Sequence, residues 1–259
     1  MSLWEAVVLG IVQGATEFLP VSSSGHLVLT QQLLGITIPG VLFEVAVHVA
    51  TLVSILLVYR ERVARLVTGS LRGEAESLGY VGLLVVATIP AGVLGLFFKD
   101  RIEAIFDDPA VAGVAFLVTG FLLWSTRAAM KRDPAAHPAL RVAVIMGLAQ
   151  AFALIPGISR SGTTVVAGLW AGVAGREAAA FSFLMAVPAI AGAAVLQIPD
   201  LQAAALPAGP LLAGSVAAAI TGVLAIRSFV VLLQKQAFHR FAYYLWPLGV
   251  GFLVYLRLT

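Results

Sequence analysis

Long apolar stretches alternate with short polar ones along this chain. Six segments, about 41–59, 78–98, 110–127, 178–198, 209–231 and 241–257, approach the roughly 20 apolar residues a helix needs to cross a bilayer. Two further apolar regions, 3–34 and 139–174, are interrupted midway by FLPVSSSGH and LIPGISRSGTT. Each of their arms runs about 14 residues and reaches about 21 Å, short of the ~30 Å hydrocarbon core. The pattern predicts six transmembrane helices plus two re-entrant helix–loop–helix hairpins whose tips stop inside the membrane. Non-helical backbone is tolerated at that depth only where protein or a wet cavity surrounds it.

Composition points the same way. Hydrophobic residues make up 60% of the 259 positions and charged ones 11%, whereas a soluble domain carries about a quarter charged residues. The expectation is an all-α polytopic membrane protein, a single integral membrane domain over 1–259 with no polar block large enough for a second. Residues 1–10 carry Glu5 and no Lys or Arg, unlike a cleaved signal peptide. The absence of cysteine excludes disulfides, thiolate catalysis and cysteine-based metal sites. The net charge of +3 falls in short loops between apolar segments, which reads as topogenic rather than nucleic-acid-binding.

Those loops orient the chain. Arg60, Arg62, Arg65 and Arg72 form one basic group; Arg127, Lys131, Arg132 and Arg141 a second; Arg227, Lys235 and Arg240 a third. By contrast, 99–109 has two basic residues among four acids, and 198–208 has no basic residue. The positive-inside rule puts the three basic groups in the cytoplasm. The first hairpin then enters from outside and the second from the cytoplasm, with three spans between them. EFLPVSSSGH and ALIPGISRSG also share apolar residues, a proline, then serine and glycine at nearly equal offsets. A repeat at about 136 residues in opposite orientation is the inverted-topology pattern of many transporter-like folds, with halves about 1–130 and 131–259.

The tips hold the chemistry. Each opens a helix after a proline with serine suited to cap it, and a helix N-terminus presents free N–H groups and partial positive charge to an anion. Ser22, Ser24, Ser159, Ser161 and Thr164 are therefore candidate phosphate-binding or capping hydroxyls. Arg160 is costly at membrane depth, and its planar fork suits phosphate oxygens. Alternatively, it pairs with a carboxylate such as Glu17 to hold the bundle. His26 follows Ser23 by three residues, so both can face one point, and a nucleophile beside a base is the minimum for attack at phosphorus. Glu17, four residues after Gln13, can take a proton, bind a divalent ion together with phosphate, or orient His26. Glu44 and His48 share one helix face and either line the cavity or pair structurally. His137 and His239 read as solvated, Pro90 and Pro188 as kinks. The glycines of GVLGLF read as close helix packing.

At these residues the chain resembles the bacterial undecaprenyl-diphosphate phosphatase family, the intramembrane type associated with bacitracin resistance. The hallmarks are QGATEFLPVSSSGH at 13–26 and PGISRSGTT at 156–164, with FEVAVHVAT and FFKDRIE between them, and the resemblance runs along essentially the whole chain. It implies hydrolysis of undecaprenyl diphosphate to the monophosphate carrier and inorganic phosphate, assisted by a divalent cation, Mg²⁺ or Ca²⁺. It also implies a multi-pass protein of the bacterial plasma (inner) membrane with an active site open outward, serving lipid-carrier recycling for cell-wall synthesis. The partners it implies are the polyprenyl diphosphate and membrane lipids, and it leaves room for a homodimer. Glu17, Ser23 and His26 match the first motif; Ser159, Arg160 and Thr164 match the second. Gln13 stands where many members have glutamate, which puts more of any metal site onto Glu17. SSGH also occurs in an unrelated acid-phosphatase superfamily, whose other basic elements have no counterpart here. The competing class is a transporter or flippase for an anionic lipid or ion, which needs anion donors but no nucleophile–base set. The residues alone leave Ser23, His26 and water open as nucleophile.

Overall fold

The computed structural model describes residues 1–36, 42–98, 101, 104–105, 108–130, 138–198 and 207–258. Lys131, Arg132, His137 and most of the segments linking 98 to 108 and 198 to 207 lie outside that set. Among the described residues every regular element is helical.

The first region breaks at the proline. Helix α1 (Leu3–Phe18) starts at a capping box, Ser2 and Glu5 each accepting the other's backbone N–H. It ends before Leu19-Pro20 because the residue preceding proline is pushed out of helical conformation, and Leu19 is extended. Helix α2 (Ser23–Leu34) restarts from the Ser22 cap and stops at Gly35, which is left-handed. The second region repeats the plan: α7 (Leu140–Phe152), a turn containing Pro156 and Gly157, then α8 (Arg160–Trp170) capped by Ser159. The arms of 16, 12, 13 and 11 residues reach about 24, 18, 20 and 17 Å at 1.5 Å per residue.

Among the described residues five helices are long and apolar enough to cross a membrane: α5 (Ala75–Phe97), α6 (Pro109–Ala129), α9 (Gly175–Leu196), α10 (Ala208–Gln234), and α11 (Ala242–Leu258) with its leading 3₁₀ turn Phe238–Phe241. These coincide with five of the six expected spans. The remaining one, α3 (Leu42–Val58), has 17 residues and bends by 82° into α4 (Arg60–Leu71). Only when that bent pair counts as one span are there six. The sequence pattern reads 60–77 as a basic loop, yet most of it is helical, because arginine and leucine are good helix formers whatever the charge of the segment. Pro90 and Pro188 lie within continuous helices.

Helix α1 packs on α10, α10 on α3, α7 on α5, α5 on α9, α3 on α9, and α6 on α11. Small residues set the closest approach. A β-carbon at Gly10 would meet the backbone of Gly214, one at Gly14 the backbone of Ala218, and one at Gly222 the side chain of Ser54. This is the small-xxx-small contact that lets helices touch in lipid. GVLGLF, expected to do this, does not: nothing lies within 4 Å of a β-carbon built at Gly92 or Gly95, because that face of α5 turns away from the bundle. Large apolar residues such as Ile89, Phe121, Leu148, Val216 and Val254 are exposed on the outer faces, as a multi-pass integral membrane protein requires of its lipid-facing surface. At the basic end Arg62 forks onto Glu177 at 3.0 and 2.7 Å and stacks over Tyr80, tying α4 to α9 and α5.

Candidate active site

The two helix breaks meet. Ser24 Oγ accepts the Gly157 N–H at 3.3 Å, Ser161 Oγ donates to the Leu19 carbonyl at 3.3 Å, and a β-carbon at Gly162 would lie 3.1 Å from Pro20. Between the tips lies a cleft of about 150 Å³ whose walls include Glu17, Ser22, Ser23, Ser24, Ser159 and Arg160. Both helix N-termini open onto it. Ser22 Oγ accepts the Gly25 N–H and Ser159 Oγ the Gly162 N–H, so each cap satisfies one donor and leaves the first-turn N–H groups for an anion. Ser22 adopts φ 71°. A non-glycine residue there costs about 1–3 kcal/mol, and such strain collects at functional sites.

Glu17 is the hub. Its Oε1 accepts from Arg160 Nη2 at 2.5 Å, and its Oε2 accepts from Ser23 Oγ at 2.7 Å and Gln13 Nε2 at 2.9 Å. The carboxylate is 7% exposed and the Arg160 side chain 16%, so this charge pair is largely desolvated. Arg160 also donates from Nη1 to the Ser182 carbonyl at 3.5 Å, and its fork remains on the cleft wall. The pairing of Arg160 with Glu17, one of two alternatives in the sequence, is thus made, and Arg160 also lines the cleft.

Three expected site residues are arranged otherwise. His26 does not meet Ser23. Its Nδ1 donates to the Ser22 carbonyl at 2.8 Å, and its Nε2 lies 2.8 Å from the Tyr244 hydroxyl. Because Nδ1 carries the proton, Nε2 accepts from Tyr244. The ring is clamped between Tyr244, stacked at 5.7 Å, and Phe116, edge-on at 5.1 Å. The three-residue spacing brings His26 to the face of α2 that packs on α6 and α11, while Ser23, at the helix start, turns back toward α1. Ser161 and Thr164 bind protein rather than the cleft: Thr164 Oγ1 donates to the Arg160 carbonyl at 2.7 Å and lies 2.7 Å from Ser182 Oγ. They hold the second tip rigid. Gln13 sits one turn behind Glu17, fully buried, and Thr119 supports Gly157 and Ser159 from α6.

His48 stands in the cleft instead, its Nε2 3.7 Å from Glu17 Oε2. Of the two alternatives for His48 in the sequence, lining the cavity is the one the structure shows, as expected of an ionisable residue within a span. The same residue and Ser24 also line a larger, mostly apolar cavity of about 490 Å³ beside the cleft. Tyr244 carried no signal, because nothing local in AYYLW marks which tyrosine reaches a histidine 218 residues away.

The family model of bacitracin resistance protein BacA matches residues 6–251. Similar curated proteins include the undecaprenyl-diphosphatase of Alkaliphilus metalliredigens, 40% identical and covering 96% of this chain and 97% of its own. The undecaprenyl-diphosphatase of Carboxydothermus hydrogenoformans is 38% identical, covering 98% and 97%. That of Desulfosudis oleivorans is 41% identical, covering 95% of each.

Proposed function

The chain belongs to the bacitracin resistance protein BacA family, and on that premise we propose how its two helix tips perform the reaction. The protein is a membrane phosphatase. It hydrolyses undecaprenyl diphosphate to undecaprenyl phosphate and inorganic phosphate, returning the lipid carrier to cell-wall synthesis. The observation that carries the mechanism is Ser23 Oγ on Glu17 Oε2 at 2.7 Å, with Arg160 on the other oxygen.

Ser23 attacks the terminal phosphorus from the N-terminus of α2. Its proton passes to Glu17 as the Oγ–P bond forms, and the bond from phosphorus to the bridging oxygen breaks, releasing undecaprenyl phosphate. Water then attacks the phosphoserine, giving inorganic phosphate and returning the proton to Ser23. Arg160 and the first-turn N–H groups of α2 and α8 hold the phosphate oxygens; Ser22, Ser24 and Ser159 shape that cradle, while Ser161 and Thr164 brace it. Phosphoryl transfer needs mainly positioning and charge neutralisation, which donors fixed on two capped helices provide. His26 acts by position, holding the Ser22 cap through Nδ1 and the hairpin to α11 through Tyr244.

A divalent cation, Mg²⁺ or Ca²⁺, fits the donor set as a weak, substrate-completed site. Among the described residues no three His, Asp or Glu side chains converge, and the protein part would include Glu17 and Gln13, whose Oε1 is buried with no hydrogen-bond partner. Such an ion supplies charge neutralisation to phosphate oxygens.

The architecture we assign is a single domain of six spans, with α3 the sixth, and two re-entrant hairpins in inverted halves. It is supported by the pairings: α1 on α10 has its counterpart in α7 on α5, and α10 on α3 in α5 on α9. Gln13 and Gln150 are both buried on the leading arms. The membrane is the bacterial plasma membrane, the cleft opens outward, and a second copy would dock through an outer apolar face. Phosphate release from a long polyprenyl diphosphate in detergent micelles, with divalent metal, tests this function. Wild type should release phosphate and Arg160→Ala should not. A transporter or flippase, the other class an inverted repeat allows, would bind the lipid and release none.

A further inference from the structure

His48 is oriented as metal-binding histidines are. Its Nδ1 lies 2.7 Å from the Glu44 carbonyl oxygen. A carbonyl only accepts, so Nδ1 carries a proton, and in the neutral imidazole Nε2 presents a lone pair to the cleft. Metal-ligating imidazoles commonly hold their other ring N–H on a backbone carbonyl in this way, which fixes tautomer and ring direction. The atom that Nε2 faces, at 3.7 Å, is Glu17 Oε2, also an electron-pair donor. At that separation the neutral imidazole makes no hydrogen bond to the carboxylate, and two electron-pair donors face each other across the cleft.

Gln13 adds a second unsatisfied acceptor at the same carboxylate. Its Nε2 donates to Glu17 Oε2 at 2.9 Å, while its Oε1 is fully buried and has no partner among the described residues. No hydrogen bond on its far side holds the amide in one orientation, and its oxygen and nitrogen exchange places by a half-turn. A proton on His48 would relieve the contact with Glu17 but leave the Gln13 carbonyl orphaned. A cation would be held by the imidazole, the carboxylate and the turned Gln13 carbonyl together, taking the place of the Gln13 N–H on Glu17 Oε2.

We propose that His48 Nε2 is a protein ligand, together with Glu17 Oε2 and Gln13 Oε1, of the divalent cation at the cleft, and that the site therefore selects Mn²⁺ over Ca²⁺. The proposal rests on the phosphatase reading for the phosphate oxygens that complete the coordination, though not for the three protein donors. Calcium takes oxygen ligands, whereas a mixed oxygen and imidazole set favours a transition ion. Glu17 and Gln13 alone, without the imidazole, would leave an all-oxygen site with no such preference.

Pulsed electron paramagnetic resonance on the purified full chain in detergent, loaded with Mn²⁺ and no substrate, tests it. An imidazole nitrogen bound to Mn²⁺ modulates the electron spin echo. The modulation should appear in wild type, change when histidine is ¹⁵N-labelled, persist in His26→Gln and vanish in His48→Gln. Half-saturation by Mn²⁺ should rise about tenfold or more in His48→Gln, and Ca²⁺ should displace Mn²⁺ from that variant more readily than from wild type. The labelled wild type decides the question even if the variant fails to fold. Absence of bound Mn²⁺, bound Mn²⁺ without nitrogen modulation, or modulation that survives in a folded His48→Gln would each overturn the proposal. Phosphate release by such a protein would leave the phosphatase reading standing and remove only His48 from the ion. Loss of phosphate release with the modulation intact would do the reverse.

Discussion

Replacing Gly14 with alanine tests whether backbone contact in the bilayer holds the catalytic carboxylate in place. Gly14 lies three residues before Glu17, on the face of α1 that touches α10. A β-carbon there would overlap the carbonyl of Ala218 and the hydroxyl of Thr221. The hydroxyl can rotate away; the carbonyl cannot. An ordinary carbon–oxygen contact needs about 3.3 Å, so the two helices must part by about 1 Å. Overpacking of this kind costs about 1–3 kcal/mol, and a 1 Å misplacement of a reacting group costs about 10²-fold in rate. Gly14→Ala should therefore lower the melting temperature and cut turnover about a hundredfold in a phosphate-release assay at saturating substrate. Gly82→Ala and Gly92→Ala are the controls, since an added methyl there meets nothing within 4 Å. They should keep wild-type turnover and gain about 0.5–1 kcal/mol from the helix preference for alanine. Near-wild-type turnover in Gly14→Ala would refute the idea that this contact positions Glu17.

Three further outcomes follow from the same geometry. Arg160→Lys keeps the charge but loses the planar fork, so turnover should fall about 10²–10³-fold, the loss seen when one transition-state donor is removed; steady-state kinetics on a folded variant checks this. His26→Gln and Tyr244→Phe each break one side of a single clamp, so the double variant should lose less than the sum of the two, with a coupling of about 0.5–3 kcal/mol in a double-mutant cycle on turnover. The chain has no native cysteine, so Arg65→Cys and Leu34→Cys can be probed singly in sealed cells: an impermeant thiol reagent should label position 34 and spare position 65, and the reverse would invert the topology.

Much of this was readable in the sequence because membrane folds expose their rules in one dimension. Five spans, both breaks and the two caps follow from apolar length, proline and serine alone. What escaped depended on distance in the chain. Helix α4 reads as a loop because its arginines dominate the hydropathy, although Arg62 is engaged by Glu177 and Tyr80. GVLGLF has the composition of a packing seam but faces outward; the working seam, Gly10 and Gly14 against Gly214 and Ala218, is split between the first helix and the tenth. Ser23 and His26 are neighbours by helical spacing, yet the break after Leu19 turns Ser23 to Glu17 and leaves His26 to Tyr244. The pairing of Glu17 with Arg160 could be named from charge alone, because two buried opposite charges in lipid have few other partners. His48 was legible as a residue that shares a face with Glu44 and either lines the cavity or pairs, and it does line the cleft; its meeting with Glu17 comes from the packing of α3 beside α1.

The most direct measurement of the mechanism is rapid quench of the enzyme with undecaprenyl diphosphate radiolabelled on its terminal phosphate. Ser23 as nucleophile, with Glu17 taking its proton, predicts an acid-stable phosphoenzyme mapping to residue 23, formed before free phosphate appears. It also predicts that Ser23→Ala neither becomes labelled nor releases phosphate. Free phosphate from Ser23→Ala at a rate near wild type, or label that is acid-labile and maps to a histidine, would contradict it.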